Sequence, residues 1–310
     1  MILKFSILLF IFGIFTVAAK AQDFVGSVRA SLDRGAQDEA TSKLQQYLQI
    51  RGMTPEYLEA YSWLGRAALA RADYTGALAY ADQTYQLCQQ QIGRYRLTSE
   101  PRLQTALGAA IEVRGQALAK SGQTVQARHY LEAELAKYRG TGISARIQKN
   151  INLLGLEGAV APELKLEPHL GPKPSPLSSL KGKPVVIFMW AHWCVDCKAQ
   201  APILARLKKD LDDQFEVVGA TRLYGYAAAG TEATPQQEME YIEAVRSKYF
   251  RILSDMPVPV ATENFERYGA STTPTLVIIG PDTKVVRYHP GRMTYDELKT
   301  QLVPLIDASK

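Results

Sequence analysis

The chain has 310 residues, 46% of them hydrophobic, with 36 Lys and Arg against 31 Asp and Glu for a net charge of +5. That length suggests about two domains with real cores, and so slight a basic excess excludes the footprint of a nucleic-acid-binding surface. Three cysteines in the whole chain exclude a scaffold stapled by disulfides.

Residues 1–21 read as an export signal. Lys4 gives a positive start, an apolar run follows from Phe5 to Ala19, and Ala19-Lys20-Ala21 offers the small-x-small pattern of a cleavage site. The run is short for a bilayer span, which needs roughly 20 residues. Cleavage before Gln22 and retention as an uncleaved anchor both place the bulk of the chain outside the cytoplasm, in a periplasmic or comparable compartment.

Residues 22–157 read as an all-α domain. Thr54-Pro55 marks a helix start, with a capping residue ahead of Pro at the first helical position. Tyr57, Tyr61, Leu64 and Ala68 then recur at helical spacing, and a break at Asp73-Tyr74-Thr75 leads to a helix carrying Ala77, Leu78, Ala81 and Leu87. The order returns with Ile111, Gly115 and Leu118, a turn at Ser121-Gly122, and Ala127, Leu131 and Leu135. Gly65 precedes Ala77 and Ala81 by the same steps as Gly115 precedes Ala127 and Leu131, so each small residue can let two antiparallel helices approach. This resembles a degenerate tetratricopeptide-type repeat, its period stretched beyond about 34 residues by an insert at residues 91–102.

Residues 158–183 form a Pro-rich linker and the start of the next domain, since Pro neither extends a helix nor serves a central strand. From 184 to 310 strands alternate with amphipathic helices, the pattern of an α/β sheet with crossovers. Residues 185–189 and 215–219 are the first two strands. Between them lies a helix with Ile203, Leu204, Leu207 and Leu211 on its core face and Lys208, Lys209 and Asp210 opposite. Thr234-Pro235-Gln236-Gln237 caps a helix expected to turn Met239, Ile242, Val245 and Tyr249 inward. Residues 275–279 and 284–288 are strands around Gly280-Pro281-Asp282, and Thr294-x-x-Glu297 caps a last helix with Leu298, Leu302, Leu305 and Ile306 inward.

Chemistry concentrates at Cys194-Val195-Asp196-Cys197. Cys194 ends a strand-to-helix turn, where helix N–H groups and dipole favour an anion. Cysteines so placed have pKa values of roughly 3.5–7.5, against about 8.5 for a free one. Cys194 is thus the expected attacking thiol and Cys197, one turn on, the resolving one. Three readings compete. Zinc needs two further ligands, and only Cys88 and four scattered histidines are on offer. An inert disulfide across so small a ring constrains little chain. Haem attachment requires His where Lys198 stands. No metal and no organic cofactor is expected; the redox group is the Cys194–Cys197 pair itself.

The run Trp190 to Lys198, with Pro202 beyond it, resembles the active-site segment of thioredoxins. Residues 180–186, Tyr268-Gly269 and Thr273-Pro274-Thr275 resemble the exported TlpA-like branch. The resemblance covers roughly residues 160–310 and implies a thioredoxin fold, a central mixed sheet flanked by helices, preceded by the all-α repeat domain. It also implies a cis Pro274 facing the cysteines, a Thr273 backbone that pairs with substrate, and a Trp193 that covers the sulfurs. Two departures stand out: Phe188 replaces a buried Asp, and Gln200 replaces a frequent Glu, so neither of the family's proton acceptors is present.

Asp196 opposes ionisation of Cys194, which favours a reductant, nearer about −270 mV than about −120 mV. His192 is a further candidate for tuning, though an exposed loop position is expected for it. Trp190 is expected in the core, Cys88 as a buried free thiol, and residues 223–226 as a mobile insertion. The function expected is thiol–disulfide exchange with protein substrates, recharged by a membrane or exported electron donor. The alternatives are a partner-binding helical-repeat protein with an accessory redox domain, and an oxidase or isomerase of folding proteins.

Overall fold

A computed structural model describes residues 23–309; the expected export signal lies outside the described residues. Seven helices come first: α1 (Phe24–Asp33), α2 (Gln37–Arg51), α3 (Pro55–Ala70), α4 (Tyr74–Ile92), α5 (Pro101–Lys120), α6 (Thr124–Lys137) and α7 (Ser144–Leu153). The side chain of Thr54 accepts the Tyr57 N–H at 3.2 Å, and that of Asp73 accepts the Gly76 N–H at 2.9 Å. The two starts legible in the sequence are thus capped as their residue types dictate.

Close helix packing explains the small residues. A Cβ on Gly115 would sit 2.8 Å from a methyl of Leu131, and one on Gly65 would touch Tyr80 and Val113 at 3.4 Å. Leu58, Leu103, Leu107, Ile111, Leu131 and Ile147 are fully buried in this core. None of the described helices is long and apolar enough to cross a membrane.

The second half builds β1 (His169–Leu170), β2 (Val185–Met189), α8 (Val195–Asp210), β3 (Glu216–Val218), α9 (Pro235–Tyr249), β4 (Val258–Pro259), α10 (Thr262–Arg267), β5 (Thr275–Ile279), β6 (Val285–Pro290) and α11 (Tyr295–Asp307). The main sheet has the order β3-β2-β5-β6, with β2 and β3 parallel and the other pairs antiparallel. The apolar run of β2 is buried on both sides, as the alternation of side chains requires. Val186 and Phe188 face Leu204, Leu207, Leu298 and Leu302, while Val185, Ile187 and Met189 face Phe265, Tyr268 and Val277. This is the thioredoxin fold, preceded by an all-helical region.

Two expectations change. Lys208 was expected on the solvent face of α8, yet it is buried, ion-paired with Asp255 and Asp213. Tyr249 was expected inward, yet it is 40% exposed at the end of α9, with Lys198 and Lys248 over its ring. The Pro-rich stretch is tied into the second half: Leu164 and Leu177 are in its core, Glu163 accepts the N–H groups of Leu177 and Ser178, and β1 pairs with β4.

Helix α7 packs on α10. Gly269, at φ +60°, makes that seam possible, because a Cβ there would lie 2.3 Å from the Lys149 backbone nitrogen. Just beyond α7, Glu157 accepts the Tyr288 N–H of β6 at 3.0 Å.

Candidate active site

The path from β2 into α8 is held by Trp190. Its backbone N–H donates to Ala220 O at 3.0 Å, its indole N–H to Gly219 O at 2.9 Å, and its carbonyl accepts from Thr221 Oγ1 at 2.8 Å. Trp190 is fully buried, as expected of a core residue. The chain then turns, and Cys194 occupies the cap position of α8 in an extended conformation. Its Sγ accepts the Cys197 N–H at 3.0 Å. The two sulfurs are joined, with Cα atoms 5.2 Å apart.

Cys194 is 3% exposed and Cys197 fully buried, so only a narrow approach to the first sulfur is open. A sulfur that caps a helix receives an oriented N–H and the positive end of the dipole, both of which favour a thiolate once the bridge opens. Cys88, by contrast, is a free thiol buried in α4, and burial pushes it up to about 12.

Thr273–Pro274 is cis. Strand register places it: Thr275 pairs with Met189, the last residue of β2, so Pro274 lies at the same end of the sheet as the Trp190–Cys194 turn. Pro274 O accepts the Gly291 N–H at 2.8 Å. Thr273 makes no backbone hydrogen bond among the described residues, and its buried Oγ1 also has no partner there.

The polar candidates fall in different places. Asp196 is exposed and lies 3.5 Å from the Arg292 guanidinium. Gln200 is fully buried, and its side-chain oxygen accepts the Met293 N–H at 2.9 Å; it fastens the loop before α11 to α8. Phe188 is fully buried with its ring edge-on to Phe250. Among the described residues, no group of three or more His, Cys, Asp or Glu is arranged to hold a metal ion.

His192 departs most from expectation. It is 1% exposed, not a surface loop residue, and its Nε2 lies 3.2 Å from Glu238 Oε1. Glu238, in the first turn of α9, is fully buried and accepts the N–H groups of Tyr224 at 2.6 Å and Gly225 at 2.7 Å. Residues 223–226 are therefore a clamped loop, contrary to the mobile insertion expected. The rings of Tyr224, Tyr226 and Tyr241 stand edge-on to His192 at 5.3–5.5 Å, and Tyr224 meets Trp193 at 5.7 Å. Trp193 is 47% exposed. Burial lowers the pKa of His192; Glu238 opposes that effect and Lys198 adds to it. Glu238 had no sequence signal beyond its place in a capped helix start.

A four-stranded mixed sheet with a disulfide at the head of its first long helix defines a redox-active protein of the thioredoxin class. The Redoxin family model matches residues 156–302. The thiol-disulfide oxidoreductase ResA of Bacillus subtilis is 31% identical over 140 residues, covering 44% of this chain and 69% of that protein. The thioredoxin-like protein YneN of the same organism is 29% identical over 149 residues, covering 47% and 78%. The thiol:disulfide interchange protein HelX of Rhodobacter capsulatus is 25% identical over 175 residues, covering 56% and 90%. The chain belongs, through its C-terminal half, to this TlpA-like family of thiol–disulfide oxidoreductases.

Proposed function

We propose that the protein exchanges its Cys194–Cys197 couple with disulfides of protein substrates outside the cytoplasm, acting as a reductant. The capping hydrogen bond from the Cys197 N–H to Cys194 Sγ carries this reading, because it selects Cys194 as the sulfur best able to hold negative charge. Cys194 thiolate attacks one sulfur of a substrate disulfide, forming a mixed disulfide while the other substrate sulfur leaves and takes a proton. Cys197, deprotonated, then attacks Cys194 Sγ. The internal bridge closes, and the second substrate thiol departs with both electrons delivered. A membrane or exported dithiol donor reopens the bridge.

Substrate binding is assigned to Trp193, Thr273 and Pro274. The unused backbone groups of Thr273 suit an extended client segment laid on as an added strand. Asp196 favours the reducing direction, an effect that Arg292 lessens by pairing with it. The export signal read at residues 1–21 supports the compartment. A cleft of 410 Å³ among Arg66, Glu112, Lys120 and Arg146 supports a partner-holding role for the helical region.

Replacing Cys197 with Ser is expected to trap clients on Cys194 as covalent adducts in non-reducing gels. Absence of any adduct sinks exchange with proteins. Equilibration with glutathione tests direction, and a potential above about −150 mV rules out the reductant.

A further inference from the structure

We infer that Glu238 is a positioning residue for the exchange reaction: its buried carboxylate fixes the ring of His192 and the Tyr224–Gly225 backbone, and so sets the aromatic wall beside Cys194. This rests on Cys194–Cys197 as the exchanging couple, and it concerns a residue 41 positions beyond that pair in the chain.

Both oxygens of Glu238 are committed. Oε1 accepts from Tyr224 N and lies within hydrogen-bond reach of His192 Nε2; Oε2 accepts from Gly225 N. Neither Lys nor Arg pairs with it among the described residues. A fully buried carboxylate held only by two backbone amides and an imidazole is costly to desolvate. A neutral Gln cannot reproduce it, because its NH₂ would point at a backbone N–H.

The pairing fixes chemistry as well as shape. With Nε2–H donated to Glu238, a neutral His192 keeps its lone pair on Nδ1, and that atom is buried without a partner among the described residues. The ring is two positions before Cys194 and is edged by three tyrosines, so it cannot turn freely. The groups facing it are Glu238 and Tyr241 from α9, Tyr224 and Tyr226 from the loop after β3 with Arg222 stacked on Tyr224, and Lys198 from α8. Next in the chain, Trp193 leans on Tyr224. One carboxylate therefore connects the tautomer of His192, the loop and the exposed indole at the rim of the sulfur pair. Displacing such a wall weakens substrate placement rather than the sulfur chemistry itself.

The full chain tests this, with Glu240→Gln as control, since Glu240 is exposed on the same helix. Glu238→Gln is expected to raise KM for a disulfide-bonded peptide about tenfold with little change in kcat. The pH midpoint for iodoacetamide alkylation of reduced Cys194 is expected to stay at its wild-type value, since the N–H that caps the sulfur is untouched. A folded Glu238→Gln protein with wild-type KM, or with a moved midpoint and a lowered kcat, overturns the inference while leaving exchange intact; a wild type that never cycles overturns the functional reading instead. Should the variant not fold, ring nitrogen shifts of His192 in the unaltered protein decide: protonated Nε2 with bare Nδ1 is expected, and the opposite tautomer refutes it.

Discussion

A cysteine acquires its chemistry from its surroundings, and this chain contains two opposite cases. Cys194 caps a helix and receives an N–H, whereas Cys88 is enclosed by apolar side chains and pushed up to about 12. Compared with an exposed free thiol, Cys88 thus has more than about a thousandfold less thiolate at neutral pH. In a protein with Ser at 194 and 197, an aromatic disulfide reagent is expected to leave Cys88 unlabelled at neutral pH until urea opens the helices. Fast labelling of the folded protein would contradict the burial. The Cys pair was legible because two sulfurs three residues apart state their own geometry. His192 was not, because its burial depends on Glu238, 46 residues further on, and no local pattern announces that meeting.

At the scale of elements, the sequence showed most where a cap or a long periodic face was present. Thr234 and Thr294 both form full capping boxes, and α9 and α11 begin where those residues indicate. Strands β1 and β4 escaped notice since each is two residues long, too short for any periodicity. The packing of α7 on α10 was also hidden, although Gly269 stood in plain view as part of a familiar motif. Its role in the seam is steric: Gly269→Ala places a methyl against the Lys149 backbone, which cannot yield as a flexible side chain could. With φ +60° also disfavoured for Ala, a loss of roughly 1–3 kcal/mol is expected by urea denaturation. Wild-type stability in that variant would show that α7 and α10 are not packed so closely.

For the whole molecule, acid provides the test of how the helical region is held together. Burial alone would push the Glu112 carboxyl up, but Arg146 and Lys149 outweigh it and bring it down to about 2, from 4.5. Both cations belong to α7, while Glu112 is on α5. The lowered value means that this stabilisation is complete above about pH 4.5 and disappears as pH falls towards about 2, a change of order 3 kcal/mol. Urea midpoints across that window are expected to fall more steeply for the wild type than for Glu112→Gln, which is weaker from the outset; parallel slopes would remove Glu112 from the account.

The seam between α7 and α10 sets a condition on any client received by the helices. A flexible tether would let captured cargo search for the sulfur pair. Direct packing would instead present it at one bearing and one range, so selection would follow the cargo's own dimensions: a disulfide that fell short of Cys194 would never be sampled, however tightly its carrier were gripped.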